Sequence, residues 1–189
     1  EKPPERFRRP PNLRDYARVR ASFSWQAAAA ALEGLPGGAL NIAHEAVDRH
    51  ARGARSEQRA LRFLAAGAPP RDYTYRELRL ATDRVAAALT RLGVRPGERV
   101  ATLAGRVPAQ YLTALGALKA GGVFLPLFSA FGPEPIRARL QLGGARVLVT
   151  TDLLYRRKVA PLRPSLPGLE HVIVVRRLPG AELPPDTLD

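Results

Sequence analysis

From Arg99 onward the sequence alternates short apolar runs with helical patterns, and nothing else in it limits the fold as tightly. RVATLAG reads as a buried strand. PAQYLTALGALKAGG reads as a helix, with Pro108 in its first turn and a double glycine at its end. VFLPLF is a short apolar run. PEPIRARLQLGG is a second helix opened by proline and closed by Gly-Gly. VLVTT and HVIVVRR are strands rich in β-branched residues, and the helix-like LLYRRKVAPL lies between them. Strands that alternate with helices run parallel and are joined by right-handed crossovers. The expected fold is therefore α/β, an open and mostly parallel sheet with helices on both faces.

The first half is less regular. Residues 1–14 are rich in Pro and Arg and read as an extended arm. Asp15 to Leu32 carries an Ala-rich run that should be helical and should stop at LPGG, Leu35 to Gly38. Asn41 is placed to cap NIAHEAVDRHARG, in which Ile42, Ala46, Val47 and His50 share a face. Leu61 to Ala66 and Asp72 to Tyr75 are strand-like. Thr74 and Glu77 form a capping box for a helix over Tyr75 to Leu92. Its expected apolar stripe is Leu78, Ala81, Val85, Ala88, Leu89 and Leu92, and Gly93 should end it. The tail, LPGAELPPDTLD, loses the pattern and reads as a linker or a truncated continuation.

Composition narrows the function classes. With 189 residues and a hydrophobic fraction of 46%, the chain can build a core, burying roughly 70% of its unfolded surface. No apolar stretch of about 18 residues occurs, so no membrane partner is expected. No secretory signal opens the chain. There is no cysteine, which excludes disulfides and thiol nucleophiles. There is no methionine either, so the natural start is expected upstream, or the initiator removed, or the chain shortened. The net charge is +13, almost all from arginine; Lys2, Lys119 and Lys158 are the lysines. Such a balance fits a phosphate-bearing ligand or a nucleic acid. The arginines form no single continuous stripe, which disfavours nucleic acid and favours arginines scattered over solvated faces.

Several chemistries have no carrier. No phosphate loop of the G-x-x-x-x-G-K-[S/T] type, no dinucleotide fingerprint and no nucleophile elbow is present. His44, His50 and His171 lack metal-ligand partners at useful spacing. Glu33, Glu45, Asp48 and Glu57 read as solvated helix charges.

Two segments could bind a ligand. In FLPLFSAFGPEPIRAR a strand ends at Leu127 and Phe128. Small residues, Ser129 and Ala130, follow before a helix opens at Pro133. Ligands of open α/β sheets sit beyond the carboxyl ends of strands, and a helix start offers N–H groups to an anion. An ordinary turn with Phe128 and Phe131 in the core would give the same pattern. In TTDLLYRRKV, Asp152 is placed to cap a helix carrying Arg156, Arg157 and Lys158, whose charges suit phosphate oxygens. A solvated basic helix face is the alternative. Both segments follow strands of one sheet, so both loops should lie on one edge.

The order of these signals resembles the acetyl-CoA synthetase branch of the adenylate-forming superfamily. The carriers are YARVRASFSW from Tyr16 to Trp25, NIAHEAVDRH, YTYREL, ALTRLGVRPGERVATLAGRVPAQYLTALGALKAGGVFLPLFSAFGPEPIRARL and VLVTTDLLYRRKVAPL. They run from about Tyr16 to Val175. The resemblance implies the first part of the large N-terminal domain of an AMP-forming acyl-CoA ligase, cytoplasmic, using ATP, magnesium and CoA to activate acetate or another short carboxylate. It implies a 1–40 extension, a partial AMP-binding domain over 41–178, and a linker or truncated end over 179–189. It places Phe128, Ser129, Ala130 and Phe131 against the adenine end of CoA, and Arg156, with Arg157 and Lys158, at CoA's phosphates. Ser129-Ala130 stands where acetyl-CoA synthetases often have Gly-Gly. The family's Ser/Thr/Gly-rich phosphate loop, adenine motif, magnesium carboxylate, hinge and catalytic lysine have no counterpart here. The expectation is a piece that contributes part of the CoA site, is inactive alone, and has the rest of the ligase chain as partner. A non-catalytic stand-alone binding or regulatory module of the same fold, or a basic nucleic-acid-binding protein, are the alternatives.

Overall fold

The structure is a computed structural model that describes residues 11–176, 180 and 182–189. Residues 1–10 of the expected arm, Arg177 at the end of the expected last strand, and Leu178, Pro179 and Ala181 of the expected tail lie outside the described residues. The chain divides between Gly34 and Leu35 into two units.

In the first unit, the expected single helix over 15–32 is two short ones, α1 (Tyr16–Ser22) and α2 (Trp25–Ala30). The break has a local cause. The Ser24 hydroxyl accepts from the Ala27 N–H at 3.1 Å and caps α2, as Asp15 caps α1 through the Arg18 N–H at 2.9 Å. Neither helix buries a residue, and Phe23 and Trp25 stack edge to face at 5.1 Å.

The second unit opens with a helical run over 42–52, capped as expected by Asn41, whose Oδ1 accepts from the Ala43 and His44 N–H groups. Its buried face differs from expectation. Ala43, His44, Val47 and Ala51 are buried, while Ile42 and Ala46 are exposed. The reason is a π-turn over His44–Asp48 that leads into α3 (Arg49–Arg52). One extra residue in the turn rotates the stripe away from 3.6-residue spacing. A hairpin follows, β1 (Arg59–Phe63) against β2 (Arg71–Thr74), antiparallel and placed two to three residues earlier than the sequence suggests for the first strand.

Next comes α4 (Tyr75–Arg91), with the capping box complete: the Glu77 N–H donates to Thr74 Oγ1 and the Thr74 N–H to Glu77 Oε2. Leu78, Thr82 and Leu89 are its buried residues; Ala88 is exposed. Thr82 takes a core position because its hydroxyl donates to Leu78 O at 2.8 Å, which removes the cost of burying it. Gly93 follows at φ 79°, the left-handed step that ends the helix.

The main sheet has four parallel strands in the order β4-β3-β5-β6: β3 (Arg99–Leu103), β4 (Val123–Pro126), β5 (Ala145–Thr151) and β6 (His171–Val175). The crossovers are α5 (Pro108–Lys119), α6 (Pro133–Gly143) and a helical run from α7 (Asp152–Leu154) through a π-turn over Tyr155–Val159 to a 3-10 stretch over Ala160–Ser165. Strand residues alternate between two cores, as period 2 requires. Ala101, Leu103, Leu148, Val172 and Val174 pack with Ile136 and Leu140 of α6 and with Tyr155 and Val159. Val100 and Val147 pack on the other face with Leu89 of α4 and Ala117 of α5. Helices therefore cover both faces. Pro126 is tolerated because β4 is an edge strand. The segment read as a linker returns to the sheet: the Leu188 N–H donates to Val172 O and the Val174 N–H to Leu188 O.

At the amino end of the sheet Arg146 is a clamp. It donates to Glu98 at 2.6 Å, to Glu170 at 2.8 and 2.5 Å, and to Gly93 O at 2.8 Å. This fixes the opposite edge from the one where ligands are expected.

Candidate functional site at the carboxyl edge of the sheet

Three segments leave the carboxyl ends of neighbouring strands: 104–107 after β3, 127–132 after β4, and 152 onward after β5. The two segments singled out from sequence do lie on one edge. The strand order places β3 between the two strands they follow, yet the segments themselves meet through Lys158.

The β4 loop is anchored at both ends. The Leu127 N–H extends the ladder to Thr102 O at 2.8 Å, and the Phe131 N–H closes a turn onto Phe128 O at 3.0 Å. Phe128 and Phe131 meet edge to face at 5.6 Å. Phe131 packs on the core, with the Arg139 guanidinium 4.3 Å above its ring. Phe128 instead is 64% exposed, so only one of the two rings follows the core reading. Ser129 is half-buried and Ala130 exposed.

Lys158 joins the two segments. Its ammonium donates to Ser129 O at 2.6 Å and to Phe131 O at 2.7 Å. The Lys158 charge is thus a tie that holds the β4 loop against the helix after β5. The π-turn over Tyr155–Val159 sets this geometry by turning Tyr155 and Val159 into the core while leaving Lys158 on the loop side. Arg156 is exposed and donates to Glu182 O at 3.3 Å. It lines a separate crevice of about 510 Å³ with Arg163, Pro184 and Asp186. Arg157 is exposed. Asp152 does not cap its helix: it occupies the first helical position, and its Oδ1 is buried without a hydrogen bond.

The cleft on this edge, about 390 Å³, lies between the β3 and β4 loops. Phe128, Ser129, Pro126 and Leu127 line one side, and Ala104, Gly105, Arg106 and Gln110 the other. Gln110 stiffens the β3 loop: with its amide oriented to satisfy the neighbouring carbonyls, the nitrogen donates to Gly105 O at 3.0 Å and to Ala104 O at 3.3 Å. Sequence reading missed this second wall. The signal was there, a Gly-Arg pair directly after a strand and before a helix-opening proline, but nothing local says which loop becomes the neighbour of Ser129.

The α6 start, read as an anion donor, already carries Glu134. Its carboxyl is held below the usual range by hydrogen bonds from Arg137, at 2.9 and 2.5 Å. A fixed negative charge there opposes an anion. Among the described residues no three His, Asp or Glu side chains converge to hold a metal ion by themselves.

An open parallel sheet with a cleft beyond its strand ends defines an α/β domain of the kind that binds nucleotides and their derivatives. The profile of the AMP-binding enzyme family matches residues 47–187, and the chain belongs to that family. It is 37% identical over 165 residues to an acetyl-coenzyme A synthetase of Bacillus subtilis (strain 168), covering 87% of this chain and 28% of that protein. It is 36% identical over 159 residues to an acetyl-coenzyme A synthetase of Methanothrix thermoacetophila, covering 78% and 24%. The crystal structure of a Brucella canis acyl-CoA synthetase superposes with a TM-score of 0.79 at 31% identity, over 92% of this chain and 30% of that one. An acetoacetyl-CoA synthetase from Streptomyces lividans superposes at 0.72 with 35% identity, over 79% and 24%. The chain therefore spans less than a third of the length of these relatives. The family and the N-terminal α/β architecture expected from sequence both hold.

Proposed function

We propose that this chain forms one wall of the CoA nucleotide site of an AMP-forming ligase that joins acetate or another short carboxylate to CoA, and that it forms no acyl-adenylate by itself. The observation that carries the reading is the Lys158 tie. It presents Phe128, Ser129 and Ala130 as a fixed ledge beside a cleft at the carboxyl edge of the sheet. An exposed aromatic face such as Phe128 is a stacking surface for a base. Arg156 and Arg157 stand on the same helix as Lys158 and extend the positive field beyond the ledge.

In the complete ligase, ATP with magnesium would supply the adenylyl group for the first step, with pyrophosphate as the leaving group. No residue described here takes that role, and the proposed partner is the remainder of the ligase chain. A cytoplasmic setting accompanies this reading. Among the described residues no helix is long and apolar enough to cross a membrane.

The test is a titration of the chain with CoA, followed by amide chemical shifts, together with an assay of acetate-dependent exchange of pyrophosphate into ATP. Shifts grouped on 104–106 and 127–131 with no exchange are expected. Exchange above a blank would refute the inactive-alone reading. Shifts absent from the cleft would refute the CoA wall.

A further inference from the structure

The cleft needs a cation, and the residues first credited with that role are engaged elsewhere. Lys158 points its ammonium at two backbone carbonyls of the ledge. Arg156 donates to Glu182 O and lines a crevice that shares no residue with the cleft. Arg139 lies over the Phe131 ring and donates to Pro135 O. Among the residues that line the cleft, Arg106 is the charged one. It is exposed and, among the described residues, makes no hydrogen bond or ion pair.

The geometry points to Arg106 as the residue that holds the phosphate oxygens of a phosphorylated nucleotide in this cleft, opposite the ledge of Phe128 and Ser129. This rests on the reading of the cleft as a nucleotide wall and assigns its anion contact. Three features support it. The loop bearing Arg106 is short and fixed: the Val107 N–H turns back to Gly105 O at 2.9 Å, and the Gln110 amide bonds the two carbonyls before Arg106, those of Ala104 and Gly105. The guanidinium therefore starts from a defined base. It sits next to the start of α5, a 12-residue helix whose first turn has no side-chain cap and no acidic residue, so the local field favours an anion. This contrasts with α6, where Glu134 occupies the first turn. Finally, β3 and β4 are neighbours, so a ligand that stacks on Phe128 within this cleft has Arg106 on the facing wall.

The experiment measures CoA, dephospho-CoA and inorganic pyrophosphate binding to the full chain by calorimetry and amide shifts. Wild type, Arg106→Ala and Arg106→Lys are compared, with a thermal melt of each. Arg106 is exposed and makes no hydrogen bond or ion pair among the described residues, so all three should melt alike. The inference expects Arg106→Ala to weaken CoA binding at least tenfold and Arg106→Lys to restore part of it. A loss confined to CoA assigns its 3′-phosphate, and a loss shared with dephospho-CoA assigns the diphosphate. CoA binding that is equal in wild type and Arg106→Ala overturns the inference and leaves the CoA reading standing. Pyrophosphate shifts at 105–110 that vanish in Arg106→Ala, without CoA binding, keep Arg106 as an anion residue and overturn the CoA reading. No binding of any of the three overturns both.

Discussion

Gly116 sits where α4 and α5 come closest, and replacing it with alanine sets two effects of known size against each other. A Cβ built there would lie 2.5 Å from Val85 Cγ1, 2.7 Å from Val85 Cβ and 3.2 Å from the Ala86 nitrogen. Carbon atoms rest about 3.5–4.0 Å apart, so contact with Val85 Cβ, which no rotamer change can move, forces the helices apart by about 1 Å. Alanine in place of glycine inside a helix gains about 1 kcal/mol. Over-packing a fitted interface costs about 1–3 kcal/mol, and a clash against an anchored Cβ belongs at the upper end. Gly116→Ala should therefore lower stability by about 1–2 kcal/mol net. Urea unfolding followed by far-ultraviolet circular dichroism measures it. Val85→Gly removes both obstructing atoms, so the double variant should be more stable than the sum of the two single changes predicts, with a coupling of about 1–2 kcal/mol. A Gly116→Ala protein that unfolds at higher urea than wild type, or a double variant that is strictly additive, would refute the close-approach argument.

Two further outcomes follow from named contacts. Lys158→Met removes two charge-assisted bonds and leaves Ser129 O and Phe131 O without their partner. It should cost about 2–3 kcal/mol and speed hydrogen exchange of the Phe131 amide several-fold; an unchanged exchange rate would show that the loop holds itself. The Arg146 clamp makes stability depend on acid. The Arg95 N–H, with Arg146, holds the Glu98 carboxyl below its ordinary value of 4.5, and Arg146 does the same for Glu170. A carboxyl with a depressed folded pKa contributes stability above its unfolded pKa and loses it as pH falls through the folded value. Unfolding midpoints should therefore drop below about pH 4.5, and Arg146→Met should flatten that drop. A parallel pH profile in the variant would count against the clamp.

Much of the architecture was legible because its signals are local. Proline at the first turn and glycine after the last turn delimit α5 and α6 without reference to the rest of the chain. The capping box at Thr74 and Glu77 is a contact three residues apart. Where the reading slipped, a non-local or exceptional feature was at work. The break at Ser24, the π-turn over His44–Asp48 and the buried Thr82 all replace a regular periodic expectation with one particular hydrogen bond.

The candidate site divides the same way. The sequence by itself determined that loops rich in small residues and arginines follow apolar strands, since composition and period are properties of the chain alone. It also determined the family, through motifs spread from Tyr16 to Val175. Only the tertiary structure decided which charges line the cleft. Lys158 turns to carbonyls 27 and 29 residues away. Arg156 faces another crevice, and Arg106 comes to stand opposite Ser129 because β3 and β4 pair in parallel. Strand order and helix register place side chains from distant segments within a few ångströms of each other, and no property of either segment alone records that distance.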